Sequence, residues 1–374
     1  MTKFLPVAEP ALRGNEKRYV LDCLESGWIS SSGEYVRRFE EALAAFFEVK
    51  YAVACCNGTV ALHLALLAAG IGAGDEVIVP TATFVASANA ALYAGAQPVL
   101  VDCDHDSWQL DPERVREAIT PRTKAIMPVH LYGHPAPMDE VLAIAEEHGL
   151  VVVEDAAEAH GARYKGRPVG SIGDVATLSF YGNKIVTCGE GGALLTNDRK
   201  LAEKALSLRG QGQDPVRRYW FTTVGYNYRL TNIQAAIGLA QMEDIGWHLG
   251  KRNAVATWYS HLIPKLMPDL ISQVEQPWAQ PAHWMNTFLL PVDFGLTLDE
   301  TIGQLLANGI ESRPFFPPLH LLPIYAGQPN PACPVSEELG RRGISLPSSS
   351  QLQVEDVERV LLTLDGLRSS RVHR

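Results

Sequence analysis

Lys184 closes the run Ser179-Phe180-Tyr181-Gly182-Asn183-Lys184, shortly before Gly189-Glu190-Gly191-Gly192. A lysine taken out of water loses its proton readily, because desolvation disfavours the charged form, and the neutral amine condenses with an aldehyde. Taken alone, the segment reads as a solvated loop lysine. Asp155 ends an apolar run at 150–153 and leads into Ala156-Ala157-Glu158-Ala159-His160-Gly161. In an open α/β sheet, ligands sit beyond the carboxyl ends of the strands, so an acid there can face a positive group such as a protonated pyridine nitrogen. A strand-end Asp also caps a following helix, and the two readings weigh equally. Asn57, Gly58 and Thr59 precede an apolar helix ending at Gly70. Free backbone N–H groups at such a helix start bind anions, although plain capping explains the same residues. The order along one α/β segment changes the weighting. A phosphate cradle, an acid and an amine are the parts pyridoxal phosphate needs.

Weaker candidates drop out on geometry. His130 and His134 are four apart, but Gly133 and Pro135 rule against a shared helical face, so no metal site is expected. Glu154 and Asp155 are adjacent on a strand and should point to opposite faces, which argues against a paired-carboxylate glycosidase. Gly70, Gly72 and Gly74 follow a helix and precede a strand, the reverse of a dinucleotide fingerprint. A dinucleotide-dependent epimerase or dehydratase loses support for that reason.

The elements that must hold these residues follow a βαβ rhythm from Tyr51 to about Arg209. Candidate strands are 76–80, 97–102, 124–130, 150–155 and 175–180. Candidate helices are 59–69, 84–94, 111–119 and 138–148, the last two with acidic residues in their first turns. After Arg209 the pattern becomes aromatic and Gly-containing at 219–230, then one long helix at 231–263. A domain boundary is expected near Gly246, giving a large cofactor-binding domain (1–245) and a smaller α+β domain (246–374). In the second, strands are expected at 284–292 and 311–316 and helices at 297–308 and 354–369, with a stiff loop marked by Pro314, Pro317, Pro318 and Pro323.

At 374 residues the chain has room for two or three cores. Hydrophobic residues at 47% and charged residues at 20% are ordinary for a folded protein and exclude disorder. A net charge of -10 disfavours nucleic acid, although a local pocket can still take an anionic small molecule. Six cysteines in no zinc or redox spacing fit a reduced cytoplasmic protein. No basic leader and no apolar run of about 18 residues is present, so neither export nor membrane insertion is expected.

The strings carrying these residues resemble the DegT/DnrJ/EryC1/StrS sugar aminotransferases, a family of fold type I. The resemblance runs from Pro6 to about Glu358. Its motifs are Asn57-Gly58-Thr59 with Ala61-Leu62, Pro80-Thr81-Ala82-Thr83-Phe84, Glu154-Asp155-Ala156-Ala157-Glu158-Ala159, Ser179 with Lys184, and the Gly189–Gly192 turn. Further strings narrow it to members that aminate GDP-4-keto-6-deoxymannose with glutamate: Gly27-Trp28-Ile29-Ser30-Ser31, His130-Leu131-Tyr132-Gly133-His134-Pro135, Gly210-Gln211-Gly212, Gly225-Tyr226-Asn227-Tyr228-Arg229 and Glu311-Ser312-Arg313-Pro314.

The resemblance implies a mostly parallel mixed sheet between helices plus the small α+β domain. It implies pyridoxal 5'-phosphate, passing through its pyridoxamine form, held covalently by Lys184 and at its ring nitrogen by Asp155. Glu158 would lie near the ring hydroxyl, and Phe84 would stack on the ring. Gly58, Thr59, Ser179 and Asn183 would complete the cofactor site, with Asn227 supplied by the neighbouring subunit of a homodimer with shared active sites. Trp28, Ile29, Ser30, Tyr181, Arg313 and His320 would meet the nucleotide sugar or L-glutamate. A relative class that dehydrates the sugar carries histidine in place of the lysine, so Lys184 argues for a transaminase. UDP- or dTDP-linked sugars, 3-amination and a non-catalytic cofactor-binding regulator remain the alternatives.

Overall fold

Successive residues of the central strands enter two different cores, which places a sheet between two layers of helix. In the computed structural model, which describes residues 3–326 and 332–369, a seven-stranded sheet has the order β1 (Tyr51–Cys55), β9 (Gly192–Thr196), β8 (Val175–Ser179), β5 (Val151–Asp155), β4 (Thr123–Ile126), β2 (Glu76–Pro80), β3 (Gln97–Val101). The pairs β8–β5, β5–β4, β4–β2 and β2–β3 are parallel, whereas β9 runs antiparallel to both neighbours. The sheet is thus mixed and mostly parallel, the α/β arrangement expected of fold type I.

Ile78, Val152 and Leu195 face one core with α1 (Glu16–Ser26), α2 (Glu34–Phe46) and α6 (Met138–His148). Val77, Val153 and Leu194 face the other with α3 (Gly58–Ala68), α4 (Ala86–Tyr93) and α7 (Arg199–Arg209). Burial on both faces explains why these strands read as continuous apolar runs. The short helix α5 (Pro112–Ala118) follows β3, capped by Asp111. A small hairpin, β6 (Arg163–Tyr164) and β7 (Arg167–Pro168), pairs with β11 (Ala279–Gln280).

The long helix expected at 231–263 is two helices. α8 (Asn232–Glu243) opens on a capping box at Thr231 and Gln234, and α9 (Ile245–Leu266) starts anew after Asp244. Asp244 has φ -114° and ψ 13°, outside the helical range, and its carboxylate pairs with Arg13, so the chain turns where a charge is tethered. α9 joins the cores: Ile245 packs in the large one, while Val255, Tyr259 and Ile263 pack in a third together with Leu5. That third core also takes α10 (Leu298–Ala307) and α12 (Val354–Ser369), and it lies on a four-stranded sheet of order β10 (Ile271–Ser272), β12 (Asn286–Leu289), β14 (Gly343–Leu346), β13 (Arg313–Pro314). The strand expected at 311–316 pairs only over two residues, because Pro314, Pro317 and Pro318 offer no N–H to a ladder. α11 (Pro334–Arg342) precedes β14. Among the described residues no helix is long and apolar enough to cross a membrane.

Candidate active site

The carboxyl ends of β5 and β8 and the start of α3 border a cavity of about 550 Å³. Asn57 at the end of the β1–α3 turn caps α3, its side-chain oxygen accepting the Val60 N–H at 3.0 Å. Gly58 follows, and a Cβ there would lie 2.8 Å from Cβ of Ser179, so only glycine lets the helix start meet the end of β8. Gly58, Thr59 and Ser179 consequently share one end of the cavity.

Glu154 and Asp155 do point apart. Glu154 is fully buried and accepts N–H bonds from Gly170, Ile172 and Gly173 at 2.7–2.9 Å, with His130 Nε2 at 3.0 Å. Burial works to raise its pKa, but His130 and these amides outweigh burial and hold it below the ordinary value. Its valence is spent on the fold. Asp155 lines the cavity, accepting from Ser87 Oγ at 2.7 Å and from the Ala157 N–H at 3.2 Å.

Lys184 follows β8 in a turn closed by its own N–H to the Tyr181 carbonyl, 2.9 Å. Its Nζ lies 3.7 Å from Glu158 Oε1 and 3.8 Å from the ring centroid of Trp284. Burial lowers the lysine pKa, opposed by the negative charges of Glu158 and Asp155. Burial also pushes Glu158 up to about 7, opposed by Lys184 and by the Tyr132 N–H, which donates to Glu158 Oε2 at 2.8 Å. Both partners are driven toward neutrality, the state in which an amine is nucleophilic. Tyr132 holds a left-handed backbone (φ 56°, ψ 18°), a cost for a bulky residue that aims its N–H at the carboxylate.

Because burial holds the Glu158 carboxyl above its ordinary 4.5, its protonated form favours folding fully below about pH 4.5, and that advantage is lost as pH rises through about 7. In cofactor-free protein this lowers stability from about pH 5 to about pH 8 by on the order of 2–3 kcal/mol. Glu158→Gln is expected to flatten that decline in thermal melts taken across the range. An unchanged slope in the variant would contradict the assignment.

An aromatic wall completes the cavity. Phe84 is 53% exposed, with its ring 5.7 Å from that of Phe316. Tyr132 stacks with Phe316 (5.5 Å, 14°) and with Trp284 (6.0 Å, 23°), and Trp284 Nε1 donates to the Asn183 carbonyl at 2.8 Å. Arg313 lines the cavity beside Glu311, Nη2 to Oε1 3.3 Å.

Of the residues expected from the sequence, Gly58, Thr59, Phe84, Asp155, Glu158, Ser179, Tyr181, Asn183, Lys184 and Arg313 line one cavity. Trp28, Ile29, Ser30 and Asn227 do not; all four are exposed on the surface. His320, expected at the substrate, is 5% exposed and turned into the protein, its Nδ1 2.8 Å from Thr81 Oγ1. Sequence reasoning gave no role to Trp284, Tyr132 or Phe316. For Tyr132 the signal was its place in the His130–Pro135 string; Trp284 lies 101 positions from its partner Asn183 and carried none.

These residues fit pyridoxal phosphate. The glycine-tightened helix start and two hydroxyls suit its phosphate, Asp155 its ring nitrogen, the open face of Phe84 its ring and Lys184 its aldehyde. The Asn183 Oδ1 is buried with no hydrogen-bond partner, as an atom awaiting a ligand would be.

A model of the DegT/DnrJ/EryC1/StrS aminotransferase family matches residues 10–365. The chain is 51% identical over 361 residues to GDP-perosamine synthase of Caulobacter vibrioides, covering 96% of this chain and 97% of that one. It is 46% identical over 371 residues to GDP-perosamine synthase of Escherichia coli O157:H7, covering 99% and 100%. Among solved structures, DesV of S. venezuelae superposes with a TM-score of 0.91 at 38% identity, covering 98% of this chain and 99% of DesV.

Proposed function

Because the chain belongs to the DegT/DnrJ/EryC1/StrS aminotransferase family, we propose that it moves the amino group of L-glutamate onto GDP-4-keto-6-deoxymannose, giving GDP-perosamine and 2-oxoglutarate. The observation that carries the reading is a largely buried amine at Lys184, 3.7 Å from Glu158, in one cavity with Asp155. Near-full-length relatives at 46–51% identity that bear the name GDP-perosamine synthase support the substrate.

When bound, pyridoxal phosphate supplies an aldehyde and a ring that accepts the electron pair released at a reacting carbon. The chain does the rest. Gly58, Thr59 and Ser179 hold the phosphate and Phe84 the ring face. Asp155 keeps a proton on the ring nitrogen through its negative charge. The Lys184 amine takes the proton from the α-carbon of glutamate and, in the second half, delivers one to C4 of the sugar. Trp284, Tyr132 and Phe316 exclude water from that transfer, and Arg313 offers a charged fork to diphosphate oxygens.

The exposed segments carrying Trp28, Ile29, Ser30 and Asn227 suit a homodimer in which each copy completes the other's site, in the cytoplasm where nucleotide sugars are made. Incubation with glutamate and a panel of GDP-, UDP- and dTDP-linked 3- and 4-keto sugars is expected to yield a 4-amino product from the GDP sugar, identified by mass and NMR. Double-reciprocal plots should be parallel, since the first product leaves before the sugar binds. Amination of a UDP or dTDP sugar instead would overturn the substrate.

A further inference from the structure

The segment from Arg313 to Ala326 leaves the small sheet and returns to the core that β2, α3, α4 and α7 share. Leu319 and Tyr325 pack there, and the Tyr325 hydroxyl donates to Asn89 Oδ1 on α4 at 2.8 Å. Its tightest attachment is to one residue. Thr81, fully buried just after β2, accepts the Leu319 N–H at its carbonyl (2.9 Å) and the His320 N–H at Oγ1 (3.1 Å), and its hydroxyl lies 2.8 Å from His320 Nδ1. The Thr81 hydroxyl thus holds both the backbone N–H and the imidazole of His320. Nε2 is 3.3 Å from Glu337 Oε1 on α11. The other side of the segment is braced as well. The N–H groups of Val335 and Ser336 at the start of α11 donate to the Asp102 carboxylate of the large domain at 3.1 and 2.9 Å. Gly340 of α11 presses on the same segment, since a Cβ there would lie 2.5 Å from Pro318 Cδ.

Thr81 stands three residues before Phe84, and His320 seven residues after Arg313. Phe84 and Phe316 face each other with rings 5.7 Å apart, and Thr83, Phe84, Arg313 and Phe316 all line the cavity. The geometry points to Thr81 and His320 as positioning residues: they hold the wall bearing Arg313 and Phe316 at a set distance from the wall bearing Phe84, and so set the mouth that admits the nucleotide sugar. Neither touches the reacting atoms. The inference deepens the functional reading above and rests on it for the identity of the sugar.

Thr81→Val removes the hydroxyl and keeps the shape; Thr81→Ser restores the hydroxyl. In the valine variant, hydrogen exchange measured by mass spectrometry at the 313–326 backbone is expected to rise about tenfold while β5 and β8 stay protected. KM for the GDP sugar should rise about tenfold, about 1.4 kcal/mol, with kcat and the single-turnover rate with glutamate alone within about twofold of wild type. Thr81→Ser should restore both. Should the valine variant not fold, His320→Asn, which keeps a hydrogen-bonding atom where Nδ1 stands, and His320→Leu, which does not, give the same comparison. Unchanged exchange overturns the proposal, and so does raised exchange with an unchanged KM or an equal loss in the glutamate half. If the wild type aminates no GDP sugar, the functional reading fails, and exchange in the valine and serine variants alone decides whether the staple exists.

Discussion

Lys184→Ala is expected to slow turnover by at least about 10⁴-fold, about 5.5 kcal/mol of barrier. Among the described residues no other amine lines the cavity, and the one further cation there is the Arg313 guanidinium. A guanidinium stays protonated at any working pH, so it can neither condense with an aldehyde nor accept a proton from carbon. Lys184→Arg should therefore be as inactive as the alanine variant, although it places a positive charge beside Glu158. The measurement is 2-oxoglutarate released from glutamate and the nucleotide sugar, paired with borohydride reduction and peptide mapping. The wild type should carry the phosphopyridoxyl mark on Lys184 and neither variant should carry it. A mark elsewhere, or activity within a hundredfold of wild type in either variant, would remove the lysine from its role.

Asp155→Asn is expected to cost about 10³-fold in kcat/KM, about 4 kcal/mol. The change keeps size and shape, and an amide oxygen still accepts from Ser87 Oγ or from the Ala157 N–H, the two bonds the Asp155 carboxylate makes among the described residues. What it removes is negative charge at a ring nitrogen that must stay protonated for the electron pair to be drawn off the reacting carbon. Thermal stability should change little, which separates this loss from misfolding. Both half-reactions should fall together, since each needs the same acceptor. A loss confined to one half, or smaller than about tenfold, would mean that the carboxylate serves the β5–α4 contact and not the cofactor.

The reach of sequence reading differs between parts of this site. The central strands were legible because strands buried on both faces leave short continuous apolar runs, and α6 and α12 because acidic first turns and amphipathic spacing mark them. Glu154 and Asp155 separated as alternation requires, one tied to the amides of Gly170, Ile172 and Gly173, the other open to the cavity. The break at Asp244 was not legible, because the ion pair with Arg13 that accompanies it joins positions 231 apart. His320 misled for a related reason. A histidine in a proline-rich loop reads as a ligand contact, and nothing nearby in sequence announces Thr81, 239 positions away, as the group that claims it.

The sequence by itself determined the chemistry: a lysine in a strand-end turn, an acid closing the neighbouring strand, and a helix start made for an anion, since each depends on residue type and local backbone. Tertiary structure alone decided how that chemistry is housed. It put Trp284 against the lysine, set Phe316 opposite Phe84, and turned His320 inward to bind Thr81. Such contacts join residues 100 to 239 positions apart, and proximity at that range is a property of the whole packed core, which no local pattern of residues encodes.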